Sequence, residues 1–288
     1  MQNAIDLAMK GRYTTSPNPN VGCVIVEGNK ILSRSYHAKS GKDHAEVIAL
    51  KKLKKKVNNQ MVMYLNLEPC CHTGKTGPCT KTIIESGIKN VEIAMFDPNP
   101  VVKGNGVKEL RKNGITVNVG LCKNEAIEIN NDFITRHNKN RPYVVLKQAI
   151  SADFRITNPQ NRWISSKLSR EDSHFHRAES CAILVGSNTV RNDNPRLNVR
   201  LTKKKLLISE SIRQPIKIIL DSKLSLNINK YKIFDGKTKK IVFNSVETKF
   251  DKKKNIDFIK VNKEKIGLNL VSIMKILTND YEIKRLLV

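Results

Sequence analysis

The sequence lacks any apolar run approaching the about 20 residues that a membrane-spanning helix needs. Its first residues, MQNAIDLAMKGR, have the pattern of an amphipathic helix and lack the continuous apolar stretch of a signal peptide. We therefore predict a cytoplasmic protein with no membrane partner. Because thiols stay reduced in that compartment, the six cysteines point away from a disulfide framework and towards metal binding or catalysis.

Acidic residues are scarce: 26 Asp and Glu stand against 52 Lys and Arg, which gives a formal net charge of +26. Such an excess raises the hypothesis of a nucleic-acid binder. However, lysine is used freely along the whole chain, and the run KKLKKK (51–56) follows an apolar helical face, where cations suit the end of a helix dipole. We expect no nucleic-acid partner. The charge is equally compatible with attraction of phosphorylated small molecules.

The chain also lacks internal repeats and low-complexity tracts, and its 288 residues with 39% hydrophobic content suffice for two domains with real cores. Helix and strand patterns alternate through residues 1–140, which predicts a layered α/β sandwich. One longer helix is predicted through NEAIEINNDFITRH. The polar, basic stretch NKNRPY, broken by Pro142, is the predicted boundary, and a second alternating set predicts another α/β domain over 141–288.

A cluster of metal-ligand residues lies in NLEPCCHTGKTGPCTK (66–81), downstream of His44-Ala45-Glu46. One imidazole from His44 and two thiolates from Cys70 and Cys79 leave a tetrahedral zinc with one position open for water, as in catalytic sites. Zinc lowers the pKa of that water and supplies hydroxide as the nucleophile. Glu46 can carry protons from the water to a leaving amine without ligating the metal, which is the logic of zinc deaminases.

Other interpretations stay open on these residues alone. A structural zinc finger would recruit Cys71 or His72, although adjacent cysteines rarely ligate one tetrahedral ion and a finger leaves the HAE triplet without a role. Nucleoside and tRNA deaminases typically use P-C-x-x-C, whereas eight residues separate Cys70 from Cys79 here. A basic, zinc-bearing nucleic-acid module is the non-enzymatic alternative.

Four segments, SPNPNVGCVIV (16–26), HAEV (44–47), LEPCCHTGKTGPC (67–79) and DPNPVVKG (97–104), resemble the bifunctional riboflavin-biosynthesis deaminase–reductases. The resemblance runs through essentially the whole chain. It implies a cytidine-deaminase-like α/β/α sandwich that converts 2,5-diamino-6-(5-phosphoribosylamino)pyrimidin-4(3H)-one to 5-amino-6-(5-phosphoribosylamino)uracil. The implied substrate-binding residues are Asn18, His37, His72 and Lys75. An amide suits the pyrimidine edge, and imidazoles with an ammonium suit an anionic phosphoribosyl arm. Asp97 would cap a turn or bind ribose.

The second half resembles the reductase domain of the same family, in segments such as KQAISAD (147–153), AILVGSNTV (182–190) and DNPRLNVR (193–200). That resemblance implies a dihydrofolate-reductase-like α/β domain that uses NADPH to convert the ribosyl group to ribityl. The implied cofactor-side residues are Lys147, Ala149, Trp163, Thr189, Asp193 and Ser222. The implied substrate contacts are Arg177, Leu197 and Arg200, and guanidinium groups suit a phosphate.

The chain ends at KRLLV (284–288), within what resembles a sheet strand. In the family that strand runs into a glutamate and a glycine-rich loop that cradles the cofactor's phosphates. We therefore expect a C-terminally incomplete reductase domain that is weak or inactive alone, or else a piece of a longer bifunctional protein. We also expect Leu286, Leu287 and Val288 to be poorly covered, with one strand edge unpaired. The oligomeric state is open, a homo-oligomer included.

Overall fold

The computed structural model describes residues 1–74, 77–156, 163–247 and 255–288. The chain divides into two compact units, Met1–Lys139 and Asn140–Val288. Each unit has its own sheet and its own hydrophobic core. Within the described ranges, no helix has both the length and the apolar character needed to cross a membrane.

The first unit is built on a five-stranded mixed sheet. In chain order, its strands are β1 (Gly22–Glu27), β2 (Lys30–Tyr36), β3 (Met61–Leu65), β4 (Asn90–Ile93) and β5 (Thr116–Val119). The spatial order is β2-β1-β3-β4-β5, with β1 antiparallel to both neighbours and β3, β4 and β5 parallel. The carboxyl ends of β3 and β4 therefore lie at the same edge of the sheet.

Helices cover both faces of this sheet. In chain order, they are α1 (Gln2–Ala8), α2 (Ala45–Lys52), α3 (Cys79–Ser86), α4 (Asn105–Lys112), α5 (Lys123–Glu128) and α6 (Asn131–Lys139), with a 3-10 turn at Met9–Gly11. Residues of α2, α3 and α4 share one buried cluster with alternate residues of the strands. Residues of α1, α5 and α6 share a separate cluster. The unit is therefore the α/β/α sandwich that the sequence predicted.

Close packing of α1 on the sheet depends on one glycine. A Cβ atom at Gly22 would lie 1.9 Å from the carbonyl oxygen of Ala4 in α1. Any side chain at that position would push the helix off β1. Gly22 belongs to the NVGCV segment, so part of that sequence signal reflects packing of the helix rather than chemistry.

The predicted single helix through NEAIEINNDFITRH is wrong, because two helices, α5 and α6, cover it. The break falls at Asn130, which is fully buried. Its Oδ1 accepts a hydrogen bond from the Asn20 N–H at 2.8 Å, and its Nδ2 donates to the Asn20 carbonyl at 3.0 Å. A partner 110 residues away in sequence thus ends one helix and starts the next.

The second unit has a six-stranded sheet and a small hairpin. In chain order, the strands are β6 (Tyr143–Val145), β7 (Ala182–Gly186), β8 (Ile216–Leu220), β9 (Lys240–Asn244), β10 (Ile256–Lys260), β11 (Lys263–Glu264), β12 (Gly267–Leu268) and β13 (Arg285–Leu287). The large sheet has the order β10-β9-β8-β7-β13-β6, and all its pairings are parallel. Its helices are α7 (Lys167–Glu179), α8 (Ser187–Asp193), α9 (Lys203–Leu206) and α10 (Leu270–Asn279), with a 3-10 turn at Lys232–Phe234.

Helix α7 was not predicted from the sequence, although it has 13 residues. Only His174 and Ala178 among them are buried, so the apolar period that indicates a helix is almost absent. The helix starts at Ser166, whose side chain accepts a hydrogen bond from the Ser169 N–H at 3.2 Å. This cap was the available sequence signal.

The expectation for the end of the chain is wrong in one respect. Strand β13 pairs on both sides, with β6 and with β7. Leu286 and Leu287 are accordingly only 0% and 5% exposed. The strand that the sequence placed at an unpaired edge lies inside the sheet, because β6, more than 130 residues earlier, closes over it.

Two lysines are buried at the amino ends of neighbouring strands. Lys217 and Lys240 are cross-strand partners, 2% and 0% exposed. The Lys217 Nζ donates to the carbonyl of Ile233 at 2.9 Å, and the Lys240 Nζ donates to that of Gly236 at 2.5 Å. The two side chains therefore fasten the 3-10 turn and the segment that follows it to the sheet. Burial, reinforced by the nearby Lys240 ammonium, lowers the pKa of Lys217 to about 8.

This shift predicts a stability that rises in mild alkali. Between pH 8 and the ordinary lysine pKa of 10.5, the unfolded chain keeps a proton on Lys217 that the folded unit has released. The free energy of unfolding of the second unit should therefore increase across that window, relative to the variant Lys217→Met, which cannot titrate. Urea unfolding of both proteins from about pH 7.5 to about pH 10 measures the difference. Lys275→Met, at an exposed position, is the control. A difference in the free energy of unfolding between wild type and Lys217→Met that stays constant with pH would contradict the assignment.

Candidate metal centre and active site

Three potential metal ligands converge at the edge of the first sheet. His44 caps the start of α2, Cys70 lies in the loop that follows β3, and Cys79 is the first residue of α3. The Nδ1 of His44 lies 3.2 Å from the Cys79 Sγ and 3.7 Å from the Cys70 Sγ. All three ligand atoms lie within 4.8 Å of one another. The three residues that the sequence predicted as ligands are thus brought together.

The set fits a tetrahedral zinc ion. Bond lengths of about 2.3 Å to sulfur and about 2.0–2.1 Å to nitrogen place the ligand atoms of such an ion about 3.6 Å apart. The separations of the imidazole nitrogen from the two sulfurs, 3.2 and 3.7 Å, bracket that value. Two thiolates and one imidazole leave one position open, as catalytic zinc sites require.

The electrostatics of the two thiols are complementary to a cation. The Cys79 thiol, which hydrogen bonds to Cys70, lowers the pKa of Cys70 to about 4, against the opposing effect of burial. The same pairing raises the pKa of Cys79. The hydrogen bond to Cys70 also raises the pKa of His44. One thiol of the pair therefore ionises readily, and binding of a metal ion would displace the remaining protons.

Glu46 is the second residue of α2, directly beside these ligands, and it is 3% exposed. Its Oε2 is buried and accepts no hydrogen bond from any residue that the structure describes. Burial raises the pKa of Glu46, while the charge of His44 acts in the opposite direction. A buried carboxyl group with one oxygen unused is suited to exchanging protons with a bound substrate or water.

His37 and Asn18 extend the site away from the ligands. The His37 ring is 2% exposed and packs edge-on against the His44 ring, with centroids 5.0 Å apart. Its Nδ1 lies 3.2 Å from the Asp43 carbonyl, so it carries the proton, and its Nε2 accepts from the Asn18 Nδ2 at 3.1 Å. The structure therefore joins these two predicted substrate residues into one chain of contacts ending at His44.

Of the other two residues predicted for this site, only His72 is among the described residues. His72, two residues after Cys70, is half-buried, and its Nδ1 has no hydrogen-bond partner among the described residues. Lys75 lies outside the described residues. The Cys71 Sγ is 4.0 Å from the carbonyl of Val101 and does not belong to the ligand cluster.

Asp97 lies in the loop after β4, 7% exposed, and its Oδ1 accepts the Asn99 N–H at 2.7 Å. Of the two roles left open for this residue, the turn cap is therefore present in the structure. Burial raises the pKa of Asp97 to about 7, with smaller contributions from the negative charges of Glu68 and Cys70.

Sequence reasoning missed a set of buried amides that supports the predicted substrate loop. Asn20 bonds to Asn130, as described above, and its carbonyl also accepts from the Asn66 Nδ2 at 2.9 Å. The Asn66 Oδ1 accepts the Gly22 N–H at 2.7 Å. These asparagines tie the loop that carries Asn18 to β1 and to the end of β3. Asparagine is common in loops, so only the partners distinguish these side chains from ordinary turn residues.

In the second unit, several predicted cofactor-side residues follow parallel strands. Lys147 lies two residues after β6, Thr189 and Asp193 lie in α8 directly after β7, and Ser222 lies two residues after β8. The carboxyl ends of parallel strands meet at one edge, which is where open α/β sheets bind their ligands. The topology therefore brings these four residues to the same edge.

Two predicted substrate arginines converge near the end of α7. The Arg177 Nη1 donates to the Asn198 carbonyl at 3.4 Å, and the Arg200 N–H donates to the His174 Nδ1 at 3.3 Å. Burial, then the charges of Arg177 and Arg200, lower the pKa of His174 to about 4. A neutral imidazole and two guanidinium groups form a positively charged cluster, and guanidinium groups suit a phosphate.

Three predicted residues of this unit remain to be placed. Leu197 is 8% exposed and has a φ of +54°, in the segment between Asp193 and Arg200. Trp163 is half-exposed and stacks under the Arg170 guanidinium, 4.5 Å from the ring centroid. Ala149 is half-buried beyond β6.

Family models match both units. Residues 1–95 match the cytidine and deoxycytidylate deaminase zinc-binding region, and residues 142–288 match the RibD C-terminal domain. The riboflavin biosynthesis protein RibD of Aquifex aeolicus is 41% identical over 290 residues, covering 100% of this chain and 79% of that protein. RibD of Escherichia coli is 42% identical over 229 residues, covering 77% of this chain and 62% of that protein.

Solved structures agree with these matches over the full length. Acinetobacter baumannii RibD superposes with a TM-score of 0.88 at 33% identity, covering 99% of this chain and 78% of that one. A deaminase/reductase from Thermotoga maritima superposes with a TM-score of 0.86 at 36% identity, covering 100% and 78%. The predicted fold class and the predicted family resemblance are both confirmed. The chain belongs to the RibD family of riboflavin-biosynthesis proteins, which combine a zinc-binding deaminase domain with a reductase domain.

Proposed function

We propose that the first unit deaminates 2,5-diamino-6-(5-phosphoribosylamino)pyrimidin-4(3H)-one and that the second unit reduces the product with NADPH. The deaminase assignment rests chiefly on one observation, the buried Glu46 carboxyl group beside the His44, Cys70 and Cys79 ligand set. The Thermotoga maritima relative carries this pair of activities in its name, a diaminohydroxyphosphoribosylaminopyrimidine deaminase and a 5-amino-6-(5-phosphoribosylamino)uracil reductase.

In this proposal His44, Cys70 and Cys79 hold the zinc ion, which when bound lowers the pKa of a water molecule and makes it a nucleophile at neutral pH. Glu46 does the proton work. Its carboxylate takes one proton from the water and gives it to the adjacent ring nitrogen as the water oxygen attacks the amino-bearing ring carbon. It then takes the remaining hydroxyl proton and gives it to the amino group, which leaves as ammonia. The carbonyl oxygen of the uracil product comes from the water.

Residues next to the ligands orient the substrate. The Asn18 amide is of the right type for the pyrimidine edge, and His37 holds that amide in place through the 3.1 Å contact. His72 and Lys75 are assigned to the phosphoribosyl arm. Both ring nitrogens of His37 take part in hydrogen bonds within the protein. We therefore assign His37 the role of positioning Asn18 rather than that of a charged contact to the substrate.

For the second unit, we assign NADPH to the carboxyl edge of the parallel sheet, with Lys147, Ala149, Trp163, Thr189, Asp193 and Ser222 on the cofactor side. NADPH supplies the hydride that turns the ribosyl group into ribityl. We assign Arg177 and Arg200 to the substrate phosphate, and Leu197, in the segment between Asp193 and Arg200, to the substrate as well. The two guanidinium charges close to His174, those of Arg177 and Arg200, support an anionic ligand at that position.

A coupled assay separates the two activities. Zinc-loaded protein, the diaminopyrimidine ribotide and NADPH are combined, and ammonia release and NADPH oxidation are followed independently. We expect ammonia release with this substrate and little or none with cytidine or a deoxycytidylate. Ammonia release from cytidine or the deoxycytidylate but not from the ribotide would overturn the substrate assignment. NADPH oxidation without substrate-dependent ammonia release would overturn the proposed order of steps.

A further inference from the structure

A buried carboxylate with no assigned role lies two residues before the ligand Cys70. Glu68 is 3% exposed. Its Oε2 accepts the backbone N–H groups of Asp97 at 3.1 Å and of Gly104 at 2.9 Å. Its Oε1 accepts the N–H of Val107 at 3.0 Å. Three backbone donors thus replace the water that a carboxylate loses on burial.

The three donors are spread along one segment, residues 97–107, which runs from the end of β4 into the first turn of α4. The contact also requires a glycine. A Cβ atom at Gly106 would lie 2.3 Å from the Pro69 carbonyl oxygen and 3.2 Å from the Glu68 Oε1. The contact therefore joins two segments of the sequence. LEPC (67–70) supplies the Glu68 carboxylate, and DPNPVVKGNG (97–106) supplies two of the N–H donors and the glycine that makes room for the contact.

This segment borders the metal-ligating loop. The Val101 carbonyl is the neighbour of the Cys71 Sγ, 4.0 Å away. Asp97, held by Glu68 through its N–H, is buried close enough to Cys70 to respond to its charge. Releasing the three bonds would let the segment move relative to Cys70, whereas the ligands themselves would keep their own backbone contacts, such as Thr80 N–H to the Cys70 carbonyl at 3.1 Å.

We propose that Glu68 is a positioning residue of the deaminase site, whose carboxylate holds residues 97–107 as one wall of that site next to the metal centre. The inference rests on the proposed deaminase function, although its structural part does not. Glutamine is the informative replacement, because it has the same shape but a single acceptor oxygen. Its NH₂ group would face at least one backbone N–H, so at least one of the three bonds would be lost.

The kinetic test compares Glu68→Gln with wild type and with Glu92→Gln, a change on β4 at a side chain that accepts a hydrogen bond from the Asn118 Nδ2. We expect Glu68→Gln to keep its zinc and to lower kcat/KM for ammonia release roughly tenfold to a hundredfold, as expected for a displacement of about 1 Å at a site wall. Glu92→Gln should match wild type. A merely structural role would lower the yield of folded protein and leave kcat and KM per zinc-bound site unchanged, and that result would overturn the proposal.

Hydrogen exchange tests whether Glu68 holds residues 97–107, and its first measurement needs neither activity nor a variant. In wild-type holoenzyme, the amides of Asp97 and Gly104 should be strongly protected although both lie outside any helix or strand. Free exchange at these amides would overturn the proposal. In Glu68→Gln, and in Gly106→Ala as an independent displacement of the same contact, they should exchange faster while amides of β3 and β4 do not change. If wild type released no ammonia, the proposed function would fail, and the exchange data would still decide the role of Glu68.

Discussion

Replacing Glu46 by glutamine is expected to abolish most ammonia release while leaving zinc and fold in place. Glutamine has nearly the same volume, so it fits the buried position beside the ligands. It cannot take a proton from water or return one to the leaving amine. General acid–base groups typically contribute about 10²–10⁴-fold. Because Glu46 serves both proton transfers, the loss in kcat should lie at the upper end of that range.

The measurement is steady-state ammonia release per zinc-bound site, together with metal analysis and the thermal midpoint. Glu27→Gln is the matched control, since Glu27 lies on β1 and pairs at the surface with Lys55. The control should retain full activity. Near-normal ammonia release by Glu46→Gln would exclude Glu46 as the proton carrier. A variant that lost zinc would assign Glu46 to metal binding instead.

Replacing Cys79 by serine is expected to remove zinc and, with it, all measurable deamination. The Cys79 Sγ is fully buried and faces the His44 Nδ1 at 3.2 Å. A serine hydroxyl is a poor zinc ligand, and the two remaining donors cannot complete the site. Since a ligand that binds only the native state stabilises it, the first unit of Cys79→Ser should also unfold at a lower temperature in the presence of zinc.

Zinc content per chain, measured after gel filtration, decides this prediction. We expect one ion per wild-type chain and far less in Cys79→Ser. Cys71→Ser is the control, because the Cys71 Sγ points to the Val101 carbonyl and lies outside the ligand set. It should retain its zinc. Undiminished zinc in Cys79→Ser would refute the ligand assignment, and loss of zinc in Cys71→Ser would favour the four-ligand structural site.

The sequence by itself determined the elements whose signals are local. The ligand types at His44, Cys70 and Cys79 and the acid at Glu46 favour zinc-dependent deamination through their chemistry and spacing, over the structural zinc finger and the nucleic-acid module that the same residues left open. The alternating helix and strand patterns predicted the α/β class of both units, which the fold and the relatives confirm. The reductase identity, by contrast, came only from resemblance, because the second half carries no motif whose chemistry is evident from its residues.

Tertiary structure decided the features that depend on distant partners. One helix ends before Asn130 because the Asn130 side chain accepts a hydrogen bond from the Asn20 N–H. Strand β13 lies inside its sheet because β6 pairs with its outer edge. Arg177 and Arg200 come close to His174 only once α7 has packed against the segment 198–200. Glu68, in the middle of a motif, has a role only when three N–H groups from residues 97–107 reach it. The physical reason is common to all four: a local pattern specifies backbone conformation and ligand type, whereas the partners of a polar group or of a strand edge are brought to it only by the fold.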